Sequence, residues 1–150
     1  MMKTPHDCTL RPATAHDQWS IRWLVLSAGL EPTQIRWSQF WVLEKGERVI
    51  GCGQLRQFED AQELGSLVIA RPFRHQGLGS VLTQHLIQQA SYPLYLECLG
   101  AKLVQFYRQL GFKVTELDNL PPSLRSKFAL TYTLARVLPW PLVVMKYDNG

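Results

Sequence analysis

The chain has 150 residues, 46% of them hydrophobic and 19% charged, with ten glycines and nine prolines. That size suits one domain with a proper core, and the composition excludes collagen-like, coiled-coil and disordered classes. Sixteen Lys and Arg against twelve Asp and Glu give a formal charge of +4, unevenly placed: no acid lies between Asp118 and Asp148, where Arg125, Lys127, Arg136 and Lys146 stand. No run approaches the ~18 apolar residues that span a bilayer, and the opening MMKTPHDCTLRP lacks the apolar stretch of a signal peptide. The expectation is a single soluble domain over residues 1–150, cytoplasmic, with neither membrane nor nucleic acid as partner. Cys8, Cys52 and Cys98 are odd in number and form no CxxC pair. They predict neither a disulfide framework nor a metal site, but small buried residues.

In chain order, Cys8 to Arg11 reads as a short strand. Thr14-Ala15-His16-Asp17 follows as a capping box, ahead of Ile21, Leu24, Val25 and Ala28 at helical spacing, ended by Gly29. Gln34 to Gln39 is ambiguous. Phe40 to Leu43 and Val49 to Leu55 form a hairpin through Lys45-Gly46-Glu47, and Leu64 to Ile69 is a third strand of that run. A helix from about Gly77 to Ala90 carries the stripe Leu78, Val81, Leu82, His85 and Leu86, with His85 toward its polar margin. Leu94 to Cys98 is a short buried strand. Ala101 to Leu110 is helical, with Leu103, Phe106, Tyr107 and Leu110 on one face, and Phe112 to Thr115 returns as a strand. Pro121-Pro122-Ser123 opens a last helical stretch, stopped by Pro139 and Pro141 before a strand from Leu142 to Met145. The order predicts an α/β (α+β) fold: one mixed, mostly antiparallel central sheet of about seven strands with helices packed on it.

The loop Arg74-His75-Gln76-Gly77-Leu78-Gly79 sits between a strand and an amphipathic helix. Glycines let a backbone approach a ligand closely, and a helix N-terminus offers unpaired N–H groups and partial positive charge, so the place suits a phosphate. No Lys-Ser/Thr follows the second glycine, which excludes a P-loop. Leu82 stands where a dinucleotide fingerprint needs its third glycine, and four strands come first where that fingerprint follows the first.

Leu67 to Gly79, together with Phe106-Tyr107-Arg108-Gln109-Leu110-Gly111-Phe112, resembles the GCN5-related N-acetyltransferase superfamily over roughly positions 7 to 147. The first segment is similar to that family's fourth strand, pyrophosphate turn and third helix; the second is similar to its aromatic-Tyr-x-x-x-Gly-Phe segment. The resemblance implies acetyl-CoA as co-substrate, bound by the backbone of Leu67, Val68 and Ile69 along the pantetheine arm. Arg74, His75, Gln76, Gly77, Leu78, Gly79 and Ser80 would hold the pyrophosphate. It also implies that the fourth and fifth strands splay apart, and that a strand amide, that of Val68, polarises the thioester. Acetyl would pass to a primary amine by direct attack in a ternary complex.

An alkyl amine with a pKa of about 10 must lose a proton at neutral pH. For that step the resemblance implies Glu63, fourteen positions before Gly77, as the candidate base, and Tyr107, at the place of the family's tyrosine near the CoA sulfur, as the candidate acid that also touches the cofactor. Gly100 replaces an asparagine that family members often carry seven positions before this tyrosine. Cys98 reads as packing, not as an acyl carrier. His75 reaches toward phosphate, while His6 and His16 have no partners at catalytic spacing. Arg125 and Lys127 suit a carboxylate-bearing acceptor, and a small amine or amino acid is favoured over a protein lysine or N-terminus. Trp140 and Leu142 suit a homodimer surface. Of Trp19, Trp23, Trp37 and Trp41, at least two are expected in the core. The alternative function is a CoA-binding regulatory module without turnover.

Overall fold

In the computed structural model, which describes residues 2–3 and 7–148, the elements fall where local pattern places them. In chain order they are β1 (Met2–Lys3), β2 (Thr9–Pro12), α1 (Gln18–Ser27), β3 (Phe40–Lys45), β4 (Arg48–Gln57), β5 (Gln62–Ile69), α2 (Leu78–Gln89), β6 (Leu94–Leu99), α3 (Ala101–Gln109), β7 (Phe112–Thr115), α4 (Pro122–Leu134) and β8 (Leu142–Tyr147). The seven strands expected from the sequence are β2 to β8, and β1 adds a two-residue pairing with β2. His6 lies outside the described residues.

The strand order is β1-β2-β3-β4-β5-β6-β8-β7. The β2–β3, β3–β4, β6–β8 and β7–β8 ladders are antiparallel. β5 and β6 run parallel, and their ladder covers only Gln62↔Leu94 and Glu63↔Tyr95. The chain divides into two compact units, Met1–Leu55 with Leu64–Gln89 and Arg56–Glu63 with Ala90–Gly150, so β5 begins in the second and ends in the first.

In the first unit, α1 places Ile21, Leu24 and Val25 against Ala13, Phe40, Val42, Cys52 and Val68. Its entry is fixed by Asp17, whose carboxylate accepts the Thr14 N–H at 2.7 Å and a bidentate pair from Arg11 at 2.8 and 3.0 Å. That guanidinium holds the Asp17 carboxyl below its usual range. β4 lies close to its neighbours because two of its residues lack side chains. A Cβ on Gly53 would stand 2.6 Å from Leu86 Cδ1, and one on Gly51 would stand 2.8 Å from Ile69 Cδ1.

In the second unit, β8 inserts between β6 and β7. The core gathers Ala61, Tyr95, Leu120, Leu124, Phe128 and Val144, with α4 contributing Leu124 and Phe128. Pro122 opens α4, where a missing N–H costs nothing. Ala135–Val137 continues it as a 3-10 turn.

Candidate active site

The turn before α2 is made of backbone. After β5 the chain takes a 3-10 turn over Arg71–Phe73, and the Arg74 guanidinium Nε–H donates to the Ile69 carbonyl at 2.8 Å. His75 and Gly77 both adopt left-handed backbone, with φ of 64° and 79°. Successive reversals of this kind turn peptide N–H groups toward one side, and the α2 N-terminus adds its own unpaired donors. Residues 74–77 are exposed, and a Cβ at Gly77 would meet nothing within 4 Å. Glycine is needed there for its φ alone, and the open space fits an anionic group such as a pyrophosphate. Leu78 is buried and anchors the helix start.

β5 carries a kink that the sequence does not announce: Ser66 is in left-handed conformation at φ 49°. Beyond it, the Ala70 N–H donates to the Ile50 carbonyl at 2.7 Å, and the Val68 carbonyl lies 3.2 Å from where a Gly51 Cβ would stand. Strand alternation therefore turns the peptide groups of Val68 and Ala70 toward β4, and those of Leu67 and Ile69 to the opposite edge. By that alternation the Val68 carbonyl lies on the β4 side, and Leu67 and Ile69 are the residues whose peptide groups are on the outward edge.

In the second unit, Glu63 is buried to 2% exposure. Its Oε1 accepts from Lys127 Nζ on α4 and lies 3.2 Å from Arg56 Nη1 on β4. Glu97 on β6 joins this cluster. Burial first, then the charge of Glu63, pushes its carboxyl up to about 7, against the opposing effects of Lys127, Thr131 and Arg56. Its Oε2 is buried and has no hydrogen-bond partner among the described residues. The sequence reading missed Glu97, although it is the lone charge in the otherwise apolar strand Leu94-Tyr95-Leu96-Glu97-Cys98-Leu99.

Tyr107 is buried on α3, with edge-to-face contacts to Phe106 and Phe112 at centroid distances of 5.0 and 5.6 Å. Burial raises its phenol well above the ordinary value, so it keeps its proton throughout the neutral range. Leu103, expected on the same packed face, is instead largely exposed. Burial pushes the Cys98 thiol up to about 11, and its Sγ lies 4.0 Å from Met145 Sδ. A thiol held protonated is a poor nucleophile.

Three further expectations are corrected. Lys127 is tied to Glu63, and Arg125 donates to the Leu120 carbonyl at 2.9 Å, so both cations serve the fold. Trp19 and Trp23 are 77% and 73% exposed, and neither Trp37 nor Trp41 is buried. Their helical or strand periodicity alone could not tell which side a large ring takes. His85 is buried, not marginal, lying edge-on to Trp41 at 4.2 Å, and burial lowers its pKa. Thr83 is buried too, because its hydroxyl donates to the Gly79 carbonyl at 2.7 Å. A separate cleft of about 340 Å³ in the second unit is lined by Tyr132, Arg136, Leu138, Pro139 and Trp140, among others.

Among the described residues no group of three or more His, Cys, Asp or Glu could hold a metal ion, and no helix is long and apolar enough to cross a membrane. A family model described as an acetyltransferase (GNAT) domain matches residues 36–114, just over half of the chain. The amino-acid acetyltransferase of Shewanella oneidensis is 33% identical over 95 residues, 61% of this chain and 21% of that protein. N-acetylglutamate synthase from Neisseria gonorrhoeae, complexed with coenzyme A and N-acetyl-glutamate, has a similar structure at a TM-score of 0.73 and 21% identity, covering 94% of this chain and 35% of that one. Rv2747 from Mycobacterium tuberculosis, in complex with CoA and NLQ, gives 0.69 and 20%, covering 91% and 97%. The chain thus spans about a fifth of its curated relative and about a third of the gonococcal enzyme.

Proposed function

The chain belongs to the acetyltransferase (GNAT) domain family, acyltransferases whose donor is acetyl-CoA, and on that premise we propose that it acetylates the amine of an amino acid or another small amine. The observation that carries this reading is the turn before α2, where left-handed His75 and Gly77 and the helix N-terminus present backbone donors around open space. Arg74 to Ser80 hold the pyrophosphate of the donor there, and the outward peptide groups of Leu67 and Ile69 pair with its pantetheine arm. The amine attacks the thioester directly within a ternary complex. Tyr107, protonated by virtue of its burial, donates to the departing thiolate. A carboxylate of the Glu63–Glu97 cluster takes the amine proton. The amino-acid preference is supported by the likeness to an amino-acid acetyltransferase. With Arg125 and Lys127 engaged, Arg136 in its cleft is the cation offered to an acceptor carboxylate.

The test is isothermal titration of acetyl-CoA and of CoA into wild type and Gly77→Val, followed by an acceptor screen. Binding by wild type that the variant loses, with an unchanged circular dichroism spectrum, is the expected result. A folded wild type that binds neither ligand overturns the reading. Binding without acetylation of any amine points to a regulatory module.

A further inference from the structure

Resting on the acetyltransferase reading, we propose that Glu97 is the general base that deprotonates the acceptor amine, and that Glu63 is a positioning residue that holds Arg56 and Lys127 beside it. Glu63 pairs with Tyr95 across the β5–β6 ladder, and Glu97 lies two residues beyond Tyr95. With a side-chain period of two, both carboxylates project from the sheet face that α4 covers. Their electrostatic roles then separate. Glu63 Oε1 accepts from two cations, and protonating it would break both ion pairs. That oxygen is already engaged by Arg56 and Lys127 and is not offered to an incoming ammonium.

Glu97 keeps an acceptor unspent, since its buried Oε2 has no partner among the described residues. A buried acceptor without a partner is costly, and an incoming ammonium would satisfy it. The charged and polar groups facing Glu97 are Glu63 from β5, Arg56 from β4, and Lys127 and Thr131 from α4. Together with burial they leave its carboxyl titrating at about 7, the value at which a base is both available and strong enough at neutral pH. The acceptor ammonium gives one proton to Glu97 and becomes the free amine. As the new N–C bond forms and the C–S bond breaks, Tyr107 gives its proton to sulfur. The proton left on nitrogen restores the tyrosine through solvent, and Glu97 releases its own to water.

The experiment pairs Glu97→Gln with wild type in two measurements. In protein labelled with ¹³C at the glutamate carboxyl, the resonance missing from Glu97→Gln is expected to titrate with a midpoint near 7, and a midpoint below 5 overturns the assignment. In a CoA-release assay with L-glutamate, L-arginine, L-lysine and spermidine as acceptors, wild-type kcat/KM is expected to rise through the same midpoint. Glu97→Gln is expected to lose that limb and about 100-fold of the rate at pH 7, with acetyl-CoA affinity unchanged by calorimetry. A variant that keeps the limb and acts within threefold of wild type overturns the base role alone. Wild type that binds no acetyl-CoA, or turns over none of the four acceptors, overturns the wider reading and this assignment with it.

Discussion

The turn before α2 and the cluster around Glu63 and Glu97 are made from different parts of the polypeptide. The turn depends on peptide groups held by left-handed His75 and Gly77 and by a helix start. The cluster depends on side chains from β4, β5, β6 and α4, brought together from Arg56 to Thr131. A backbone site tolerates changes of side-chain chemistry and fails when its dihedral angles are forced. A side-chain site tolerates modest backbone strain and fails when one charge is removed. The contrast can be broken or sharpened by substitutions in each region.

The largest effect is expected at Tyr107→Phe, which removes the proton donor and leaves the ring contacts in place. It should lower kcat by about 100-fold or more with little change in KM for acetyl-CoA, read by steady-state kinetics. Gly77→Val forces a β-branched residue to φ 79° and should weaken acetyl-CoA binding by about 10- to 100-fold in calorimetry, while His75→Ala, which spares the backbone path, should change it less than about threefold. If the histidine change proves the more damaging, the turn binds by side chain and the comparison fails.

Lys127→Met takes one of two cations from buried Glu63 and should cost about 2 kcal/mol in urea unfolding. Because Lys127 also favours the ionised form of Glu97, the same variant should move the Glu97 titration to higher pH. Glu97→Gln works the other way on stability. A carboxyl raised to about 7 binds its proton more tightly in the folded state than its ordinary value of 4.5 allows, so it weakens folding progressively as pH rises from about 4.5 to 7. The glutamine variant should therefore be more stable than wild type at pH 8, by roughly 1–2 kcal/mol, and no more stable at pH 4. Gly53→Ala should cost about 1–2 kcal/mol, since its Cβ would stand 2.6 Å from the buried Leu86 side chain. At the small end, Trp19→Ser on an exposed helix face should change stability by less than about 0.5 kcal/mol.

Much of the first unit was legible in advance because its signals are local. The Thr14–Asp17 entry to α1, the Lys45–Glu47 hairpin and the glycines before α2 each write a backbone conformation into adjacent residues. The kink at Ser66 was not legible, since serine carries no marker for left-handed backbone. Nor was the inward turn of Val68, which depends on the strand phase after that kink. In the second unit, the helix after Pro121 could be read from its proline and spacing, but not the fate of its cations. Arg125 and Lys127 look alike in sequence, yet one binds carbonyls at the mouth of its own helix and the other a carboxylate 64 positions away.

The sequence by itself determined the element order, the glycine turn before α2 and the family, because glycine positions, capping residues and the two ordered motifs act over a few neighbouring residues. Only the tertiary structure decided which charges are spent on one another and which is left over. Burial and long-range pairing set the ionisation of Glu97 and Tyr107 and the partners of Glu63, and neither is encoded within any short segment of the chain.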